Sequence, residues 1–210
     1  MAAYIIVGII AYALGSISFS VIFSKKFAGI DVREKGSGNA GTTNVLRTVG
    51  KKVAALTLVC DILKGVVAIL IGVIVAKIIK NIDGALIVQI AAIAVVIGHT
   101  FPIFFGFKGG KGVATSLGII IVINWQIGLI CFVFGLTIMI LTRMVSAGSV
   151  LSAVLFPILT LFIGKDYFII QGSYFIFSII MAVIVMFNHR ENIKRILSGT
   201  ENKLSFKKAN

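Results

Sequence analysis

Three polar segments interrupt an otherwise apolar sequence, and their residue types suit the binding of phosphate. The first, residues 31–47, contains the run Gly36-Ser37-Gly38-Asn39-Ala40-Gly41-Thr42-Thr43-Asn44 and ends in Arg47. Glycines free the backbone to turn N–H groups around an anion, hydroxyl and amide groups add neutral donors, and arginine supplies a bidentate fork. The segment therefore predicts a phosphate-binding loop, with a flexible connection rich in glycine and serine as the alternative.

The second segment, residues 98–112, ends in Gly109-Gly110-Lys111-Gly112. With Lys108, it places two lysines among three glycines directly before an apolar run that predicts a helix. Backbone N–H groups and the positive end of the helix dipole would then face one anion. A nucleotide-hydrolysing P-loop is excluded, because its pattern needs glycine at position 105 and serine or threonine at position 112, where this chain has Phe105 and Gly112.

The first segment also matches the G-x-G-x-x-G pattern of dinucleotide-binding proteins. That fingerprint requires a strand before the glycines and a βαβ unit around them. Apolar runs long enough to be membrane helices flank the segment instead, so we discard the match.

The third segment, residues 188–201, includes His189, Asn192, Arg195 and Glu201. Here the last apolar span is expected to continue as an amphipathic helix that ends near Gly199. His189 and Asn192 would share one face of that helix, three residues apart. A basic helix lying on anionic lipid is the alternative, and it accounts for the lysines and arginines but not for the histidine and asparagine.

Other reactive residue types lie within apolar runs. Asp61 and Lys64 are three residues apart, so we expect a neutralised structural pair near the cytoplasmic end of their span. His99 precedes an aromatic run and is expected to be a hydrogen-bonded interface residue rather than a catalyst. Cys60 and Cys131 are assigned neither a disulfide nor a metal, since a thiol in an apolar run behaves as a small hydrophobe.

The elements that position these segments must be membrane helices. Of the 210 residues, 59% are hydrophobic and 13% charged, against about 45–50% and about 25% in soluble globular proteins, which excludes a soluble fold. Two prolines and two cysteines exclude a disulfide scaffold, a zinc ribbon and a proline-rich disordered chain. No repeat or linker is evident. The sequence predicts an all-α polytopic membrane protein with a single domain, residues 1–210.

Apolar runs of about 20 residues are long enough to cross the bilayer. Five such spans are predicted at about 3–24, 53–76, 84–106, 147–164 and 167–187. The stretch 112–142 is too long for one upright helix and is interrupted by Asn124-Trp125-Gln126, so it forms either one tilted span or two short ones.

The distribution of basic residues favours two spans in this stretch. With seven spans, sixteen basic residues lie on one side and three, Lys77, Lys80 and Lys165, on the other; with six spans the sides carry ten and nine. The positive-inside rule favours the first arrangement. We therefore predict about seven transmembrane helices, the N-terminus outside, the C-terminus in the cytoplasm and a turn at Trp125 at the outer interface. The net charge of +13 then reflects topology and anionic lipid rather than nucleic acid.

The three segments together resemble the signature motifs of the bacterial acyl-phosphate:glycerol-3-phosphate acyltransferases. The resemblance rests on Gly36-Ser-Gly-Asn-x-Gly-x-Thr-Asn44-x-x-Arg47, Gly109-Gly-Lys-Gly112 and His189-Arg-x-Asn192-Ile-x-Arg195-x-x-x-Gly199-x-Glu201. Asp61-Ile-Leu-Lys64-Gly65 and Arg143-Met-Val-Ser146-Ala-Gly-Ser149 are also similar to that family. The matching residues cover roughly a third of the chain.

The resemblance implies an enzyme that transfers a fatty acyl group from acyl phosphate to the 1-hydroxyl of glycerol 3-phosphate. The products would be lysophosphatidic acid and phosphate, in the first acylation step of phospholipid synthesis. No cofactor, metal or obligate protein partner is expected, and the partners are the two substrates and membrane lipid. The enzyme would lie in the bacterial cytoplasmic membrane with its active site facing the cytoplasm.

The resemblance also implies site residues. Those expected to act in catalysis are Ser37, Arg47, Lys111, His189 and Asn192. Those expected to bind substrate or phosphate are Gly36, Gly38, Asn39, Thr43, Asn44, Gly109, Gly110, Gly112, Ser146, Ser149, Arg195 and Glu201. By analogy no acyl-enzyme forms, Ser37 is a ligand, and a substrate phosphate helps to deprotonate the hydroxyl.

Two other classes of membrane protein remain as alternatives. A transporter of organic phosphate or another anion would more commonly show repeats and broken helices with a site near the midplane. A scaffold for anionic lipid would explain the charge but leave the glycine-rich loop without a role. Acyl-CoA is not expected as the obligatory donor, because the H-x-x-x-x-D pair is absent: Phe104 stands five residues after His99, and Lys194 five after His189.

Overall fold

The computed structural model describes residues 1–163 and 173–204, and within these ranges the chain forms helices and no strand. The α-helices are α1 (Ala2–Gly15), α2 (Phe19–Ala28), α3 (Thr42–Thr48), α4 (Lys51–Ile78), α5 (Gly84–Thr100), α6 (Val113–Ile123), α7 (Trp125–Thr142), α8 (Val145–Phe162), α9 (Tyr174–Asn188) and α10 (Arg190–Leu197). Short 3-10 turns lie at Val32–Glu34 and Ile103–Phe105.

Five helical segments among the described residues are long and apolar enough to cross a membrane: Ala2–Ala28, Lys51–Ile78, Gly84–Phe105, Trp125–Thr142 and Val145–Phe162. Helices α9 and α10 give a sixth if they are taken together as one bent span. The predicted apolar spans are confirmed to this extent. Of the span predicted at 167–187, residues 167–172 lie outside the described residues, as do residue 164 and Lys165 of the predicted outer side.

The predicted interruption of 112–142 is confirmed at Asn124. This residue is extended, with φ −150° and ψ 95°, and its side chain caps α7 by accepting a hydrogen bond from the N–H of Ile127 at 3.1 Å. Helix α6 before it has eleven residues and is about 16 Å long, about half of a hydrocarbon core. The count of seven spans and the orientation of the termini stay predictions.

The first span is broken, where the sequence predicted a continuous run. Helix α1 ends at Gly15 and α2 begins at Phe19. The break exposes carbonyl oxygens that a continuous helix would pair. The ammonium of Lys64 donates to the carbonyl oxygens of Gly15 and Ile17, at 3.0 Å each, and so replaces the missing helical bonds.

Helix α5 lies at the centre of the bundle, packed against α1, α4, α6 and α9. Val95, Ile69 of α4 and Ile119 of α6 are fully buried in the shared core. Helices approach closely where a residue is small: at Gly118, an added Cβ would overlap the carbonyl oxygen of Ile62. Such contacts are typical of membrane bundles, where packing rather than hydrophobic burial drives helix association.

The chain bends sharply after its last long helix, where the sequence predicted a continuous amphipathic helix. Helices α9 and α10 meet at an angle of 66° on either side of His189. The ring of His189 turns back to the carbonyl oxygen of Val185, 2.8 Å away, while Glu201 ties α10 to Ser146 at the start of α8. The bend therefore lays α10 across the end of the bundle, and Gly199, with φ +70°, ends it close to the predicted position.

Candidate active site

A short chain of hydrogen bonds links the second and third polar segments. The ammonium of Lys111 donates to Oδ1 of Asn192. The amide nitrogen of Asn192 donates in turn to Oε1 of Glu201 at 2.7 Å, and the same oxygen accepts from Ser146 Oγ at 2.8 Å. Oε2 of Glu201 accepts from Nε of Arg195 at 2.8 Å. One buried carboxylate thus fixes the amide that holds the lysine.

The charged groups of this cluster shift one another's pKa values. Burial lowers the pKa of Lys111 to about 8; the charge of Glu201 opposes that shift, and the positive charges of Arg195 and Arg47 add to it. Burial alone would raise the pKa of Glu201, but hydrogen bonds from Asn192, Ser146 and Arg195 outweigh it, so the pKa is lowered and the carboxylate stays ionised. The charge of Arg47, in the first polar segment, thus acts on the lysine of the second.

His189 is placed to accept a proton or a hydrogen bond through one ring nitrogen. Its Nδ1 lies 2.8 Å from the carbonyl oxygen of Val185, and a carbonyl can only accept, so Nδ1 carries the hydrogen. In the neutral ring Nε2 then keeps its lone pair. Burial lowers the pKa of His189 to about 4, against the opposing effect of the bond to Val185, so the ring is neutral at pH 7.

The glycine loop, residues 109–112, lies on the C-terminal end of α5. The N–H groups of Gly109 and Gly110 donate to the carbonyl oxygens of Thr100 and His99, at 3.1 Å each. A Cβ at Gly110 would overlap Nε2 of His99, which is why glycine is needed there without a positive φ. Gly112 has φ +83° and caps α6 in the left-handed region.

Asn188 secures the same loop from the side of α9. Its amide nitrogen donates to Thr100 Oγ1 at 3.1 Å and to the carbonyl oxygen of Lys111 at 3.4 Å. Neither Asn188 nor Thr100 was predicted from the sequence to have a role. The position of Asn188 directly before His189 was the only signal that could have indicated one.

Asn44 organises the first polar segment. Its amide nitrogen donates to the carbonyl oxygens of Val32, Lys35 and Asn39 at 2.7–3.0 Å, and its Oδ1 accepts from the N–H of Ser37 at 3.0 Å. All four contacts lie within the segment, and the side chain is 1% exposed. Asn44 therefore shapes the loop, whereas the sequence placed it among the residues that touch phosphate.

The glycines of this segment predicted an anion nest, but the backbone at Ser37 and Gly38 does not form one. The N–H of Ser37 is taken by Asn44, and the N–H of Gly38 donates to the carbonyl oxygen of Lys35 at 3.0 Å. Gly36 has φ +58°, and a Cβ there would overlap Oδ1 of Asn44. The glycines of this segment thus allow a tight turn around Asn44.

Four of the expected side chains remain available. Ser37 and Arg47 are exposed, and Asn39 and Thr43 are half-buried. None of the four side chains has a hydrogen-bond or ion-pair partner within residues 1–163 and 173–204. Ser149 differs, because its hydroxyl donates to the carbonyl oxygen of Val145 in its own helix at 3.0 Å.

Arg33 links the first polar segment to the second, a role that the sequence did not suggest. Its Nη1 donates to the carbonyl oxygen of Phe105 at 2.6 Å, while Nε and Nη2 donate to Asp31 at 2.9 and 2.7 Å. The hydrogen bonds from Arg33 hold the pKa of Asp31 well below its usual range, against the effect of burial. A second link runs from the N–H of Ala40 to the carbonyl oxygen of Gly109, at 3.4 Å.

Comparisons with known proteins decide the family. The family model described as glycerol-3-phosphate acyltransferase matches residues 5–199. The chain belongs to this family. It is 44% identical over 206 residues to the glycerol-3-phosphate acyltransferase of Clostridioides difficile (strain 630), covering 98% of both chains. It is 46% identical over 203 residues to that of Thermoanaerobacter sp. (strain X514), covering 97% of this chain and 96% of the relative.

Solved structures of one relative agree with the fold. The crystal structure of PlsY (YgiH), an integral membrane glycerol 3-phosphate acyltransferase, matches in its glycerol 3-phosphate form with a TM-score of 0.84 and 37% identity, covering 96% of each chain. Its lysophosphatidic acid form matches with a TM-score of 0.83 and the same identity, covering 96% of this chain and 95% of that one. The family resemblance inferred from the motifs is thereby confirmed, and the chain is an integral membrane protein.

The pKa of Lys111 predicts a pH dependence. An ammonium attracts a phosphate dianion and a neutral amine does not, so kcat/KM for phosphate substrates should fall as the pH rises through about 8 and the free enzyme loses this proton. A pH profile of initial rates measures the effect. In Lys111→Arg the guanidinium stays charged, so the residual activity should show no such fall; an unchanged alkaline limb in that variant would contradict the assignment.

Proposed function

We propose that this chain transfers a fatty acyl group from acyl phosphate to the 1-hydroxyl of glycerol 3-phosphate. The products are lysophosphatidic acid and inorganic phosphate, and the reaction is the first acylation of phospholipid synthesis. Family membership and the two forms of PlsY support glycerol 3-phosphate as the acceptor. An acyl phosphate is already an activated mixed anhydride, so the reaction needs no cofactor to drive it.

The observation that carries this proposal is the convergence of the three polar segments on Lys111. Arg47 comes from the first, Lys111 from the second, and Asn192, Arg195 and Glu201 from the third. Among these residues three positive charges face one carboxylate, so the cluster has an excess of positive charge. That excess suits two phosphorylated substrates bound side by side.

Lys111 and Arg47 neutralise substrate phosphate. The ammonium is a compact charge presented by the glycine loop, and the exposed guanidinium of Arg47 can pair with phosphate oxygens in a bidentate manner. Bringing the two substrates together against the repulsion between their phosphate groups is the main catalytic task, and orientation alone can contribute about 7–11 kcal/mol. Ser37, Asn39 and Thr43 add hydrogen-bond donors around the same phosphates.

The reacting hydroxyl lies between His189 and Asn192. Nε2 of neutral His189 accepts a hydrogen bond from this hydroxyl and so orients the hydroxyl oxygen toward the acyl carbonyl carbon. The hydroxyl oxygen forms the new ester bond, the bond from carbonyl carbon to phosphate oxygen breaks, and the hydroxyl proton leaves on the phosphate. With a pKa of about 4, His189 is too weak a base to keep the proton, which agrees with its final transfer to the leaving phosphate.

Ser37 is a phosphate ligand in this mechanism and forms no covalent intermediate. Its hydroxyl has no base within hydrogen-bond distance among the described residues. A serine nucleophile would need such a base to lose its proton.

We further propose seven spans, with the N-terminus outside, the C-terminus in the cytoplasm and the site at the cytoplasmic face of the bacterial cell membrane. The contacts of Lys111 with Asn192 and of the Leu204 N–H with the Arg143 carbonyl, at 2.7 Å, support this orientation. Together with the bond from Arg33 to the Phe105 carbonyl, at 2.6 Å, they bring together the four segments that carry sixteen of the twenty basic residues. The whole chain acts as one domain.

The activity is tested with purified protein in lipid, given an acyl phosphate and glycerol 3-phosphate without added nucleotide. We expect equimolar lysophosphatidate and phosphate. Lys111→Ala should lower kcat/KM by about 10²–10³-fold, the usual effect of removing a donor aimed at developing charge. Lys108→Ala, at an exposed lysine of the same polar segment, is the matched control and should stay within about twofold of wild type.

Absence of both products would refute the proposal. If labelled glycerol 3-phosphate instead crossed the bilayer of protein-containing vesicles, the chain would be a transporter. Equal losses in Lys111→Ala and Lys108→Ala would mean that only the net charge of the loop matters.

The orientation is tested with single cysteines in a Cys60→Ala/Cys131→Ala background. Lys35→Cys, Lys108→Cys and Asn202→Cys are exposed positions in the three polar segments, and Lys80→Cys lies between α4 and α5. A membrane-impermeant maleimide should label the first three in inside-out vesicles only, and Lys80→Cys in right-side-out vesicles only. Labelling of Asn202→Cys together with Lys80→Cys would contradict the seven-span arrangement.

A further inference from the structure

Three ionisable side chains are buried together between the membrane spans, beside the site. Lys64 Nζ lies 2.9 Å from Oδ1 of Asp61, and Nδ1 of His99 lies 3.5 Å from the same oxygen. The side chains of Asp61, Lys64 and His99 are 2%, 1% and 7% exposed. Buried ionisable groups are costly within a membrane, and replacing them by apolar groups is often neutral for stability. Since stability alone does not require these charges, the contacts of Asp61, Lys64 and His99 with other segments indicate which parts of the chain they position.

Asp61, Lys64 and His99 form a triad, and one end of this triad is bonded to the break in the first span. Lys64 donates to the carbonyl oxygens of Gly15 and Ile17, between α1 and α2. The break is held from α5 as well, because Tyr12 Oη donates to the carbonyl oxygen of Phe101 at 2.8 Å. The triad, which lies on α4 and α5, is thus anchored to the break between α1 and α2.

The other end of the triad supports the glycine loop. The carbonyl oxygen of His99 accepts from the N–H of Gly110, and Nε2 of His99 lies directly under the α-carbon of Gly110, where a Cβ would overlap it. Gly110 immediately precedes Lys111. The ring of His99 therefore lies directly against the loop, and the carboxylate of Asp61 lies 3.5 Å from its Nδ1.

We propose that Asp61, Lys64 and His99 are positioning residues, which hold the glycine loop so that the ammonium of Lys111 reaches Asn192. This inference rests on the proposed function, since it assigns the triad a part in the acyl transfer. The ion pair is then more than a neutral structural pair, and His99 is more than an interface residue. None of the three touches substrate.

The physical reason for such a device lies in the loop itself. Three glycines in four residues give a backbone with many accessible conformations, and orienting Lys111 requires most of them to be excluded. A misplacement of about 1 Å at a catalytic group can cost about 10²-fold in rate. The imidazole of His99 against Gly110 excludes some of those conformations from below, while the Asn188 amide bonded to Lys111 and the Ala40 N–H bonded to Gly109 restrict the loop from the sides.

The test compares His99→Ala, His99→Asn and Gln89→Leu in the acyl transfer assay. His99→Ala should lower kcat/KM by about 10–10²-fold, and His99→Asn, which keeps a donor near Asp61, should recover part of it. Gln89→Leu is the matched control, because Gln89 is a buried polar residue of the same helix, bonded to Ser173 three turns away from His99. It should change kcat/KM less than threefold even where it lowers thermal stability as much.

A second readout separates positioning from general destabilisation. Burial lowers the pKa of Lys111 to about 8, and the charges that act on it are those of Glu201, Arg195 and Arg47, with neutral His189 also coupled to it. If His99→Ala frees the loop, the ammonium becomes more hydrated and the alkaline limb of the kcat/KM profile should move to higher pH by at least about half a unit. Gln89→Leu should leave that limb in place.

The double variant Asp61→Asn/Lys64→Met keeps the volume and removes both buried charges together, so no unpaired ion is left if the fold forms. It should repeat the loss and the shifted limb of His99→Ala. Wild-type kcat/KM and an unmoved limb in both variants would overturn the positioning role while leaving the proposed function intact. An inactive wild-type protein in the same assay would overturn the proposed function itself.

Discussion

The hydrogen bond from the Lys111 ammonium to the side-chain oxygen of Asn192 is the contact on which the site depends. It joins a loop after α5 to a helix after α9, two parts of the chain that are 81 residues apart. Two other parts of the site support this bond: Glu201 fixes the amide of Asn192, and the glycine loop positions Lys111. Because the amide oxygen is neutral, it holds the ammonium without cancelling the charge that a phosphate must meet.

Close backbone approach is the second constraint. At Gly109 and Gly110 a Cβ would overlap atoms of His99, and at Gly36 it would overlap Asn44. Gly110 and Gly36 bring main chain against the polar side chains of His99 and Asn44, so that these buried side chains can direct the loops. The first segment therefore differs from a simple anion nest: its interior is filled by Asn44, and its exposed face presents Ser37 and Arg47.

The sequence was sufficient for the class of fold, the break at Asn124 and the family, because composition, charge and motif spacing are local properties. It was insufficient for the break at residues 16–18 and for the bend at His189, because both depend on partners far along the chain, Lys64 in one case and Ser146 through Glu201 in the other. For the same reason Arg33 and Asn188 were missed, and Asn44 was placed on phosphate: a donor-rich side chain looks the same in sequence whether it faces a ligand or its own loop.

Lys111 and Asn192 act as one unit, and a double-mutant cycle on kcat/KM measures this coupling most directly. Lys111→Ala, Asn192→Ala and the double variant are compared with wild type in the acyl transfer assay. If the amide works by holding the ammonium, the double variant should be about as impaired as the worse single variant, since residues that act as a unit are strongly non-additive. Losses that multiply, with no coupling between the two positions, would contradict the account.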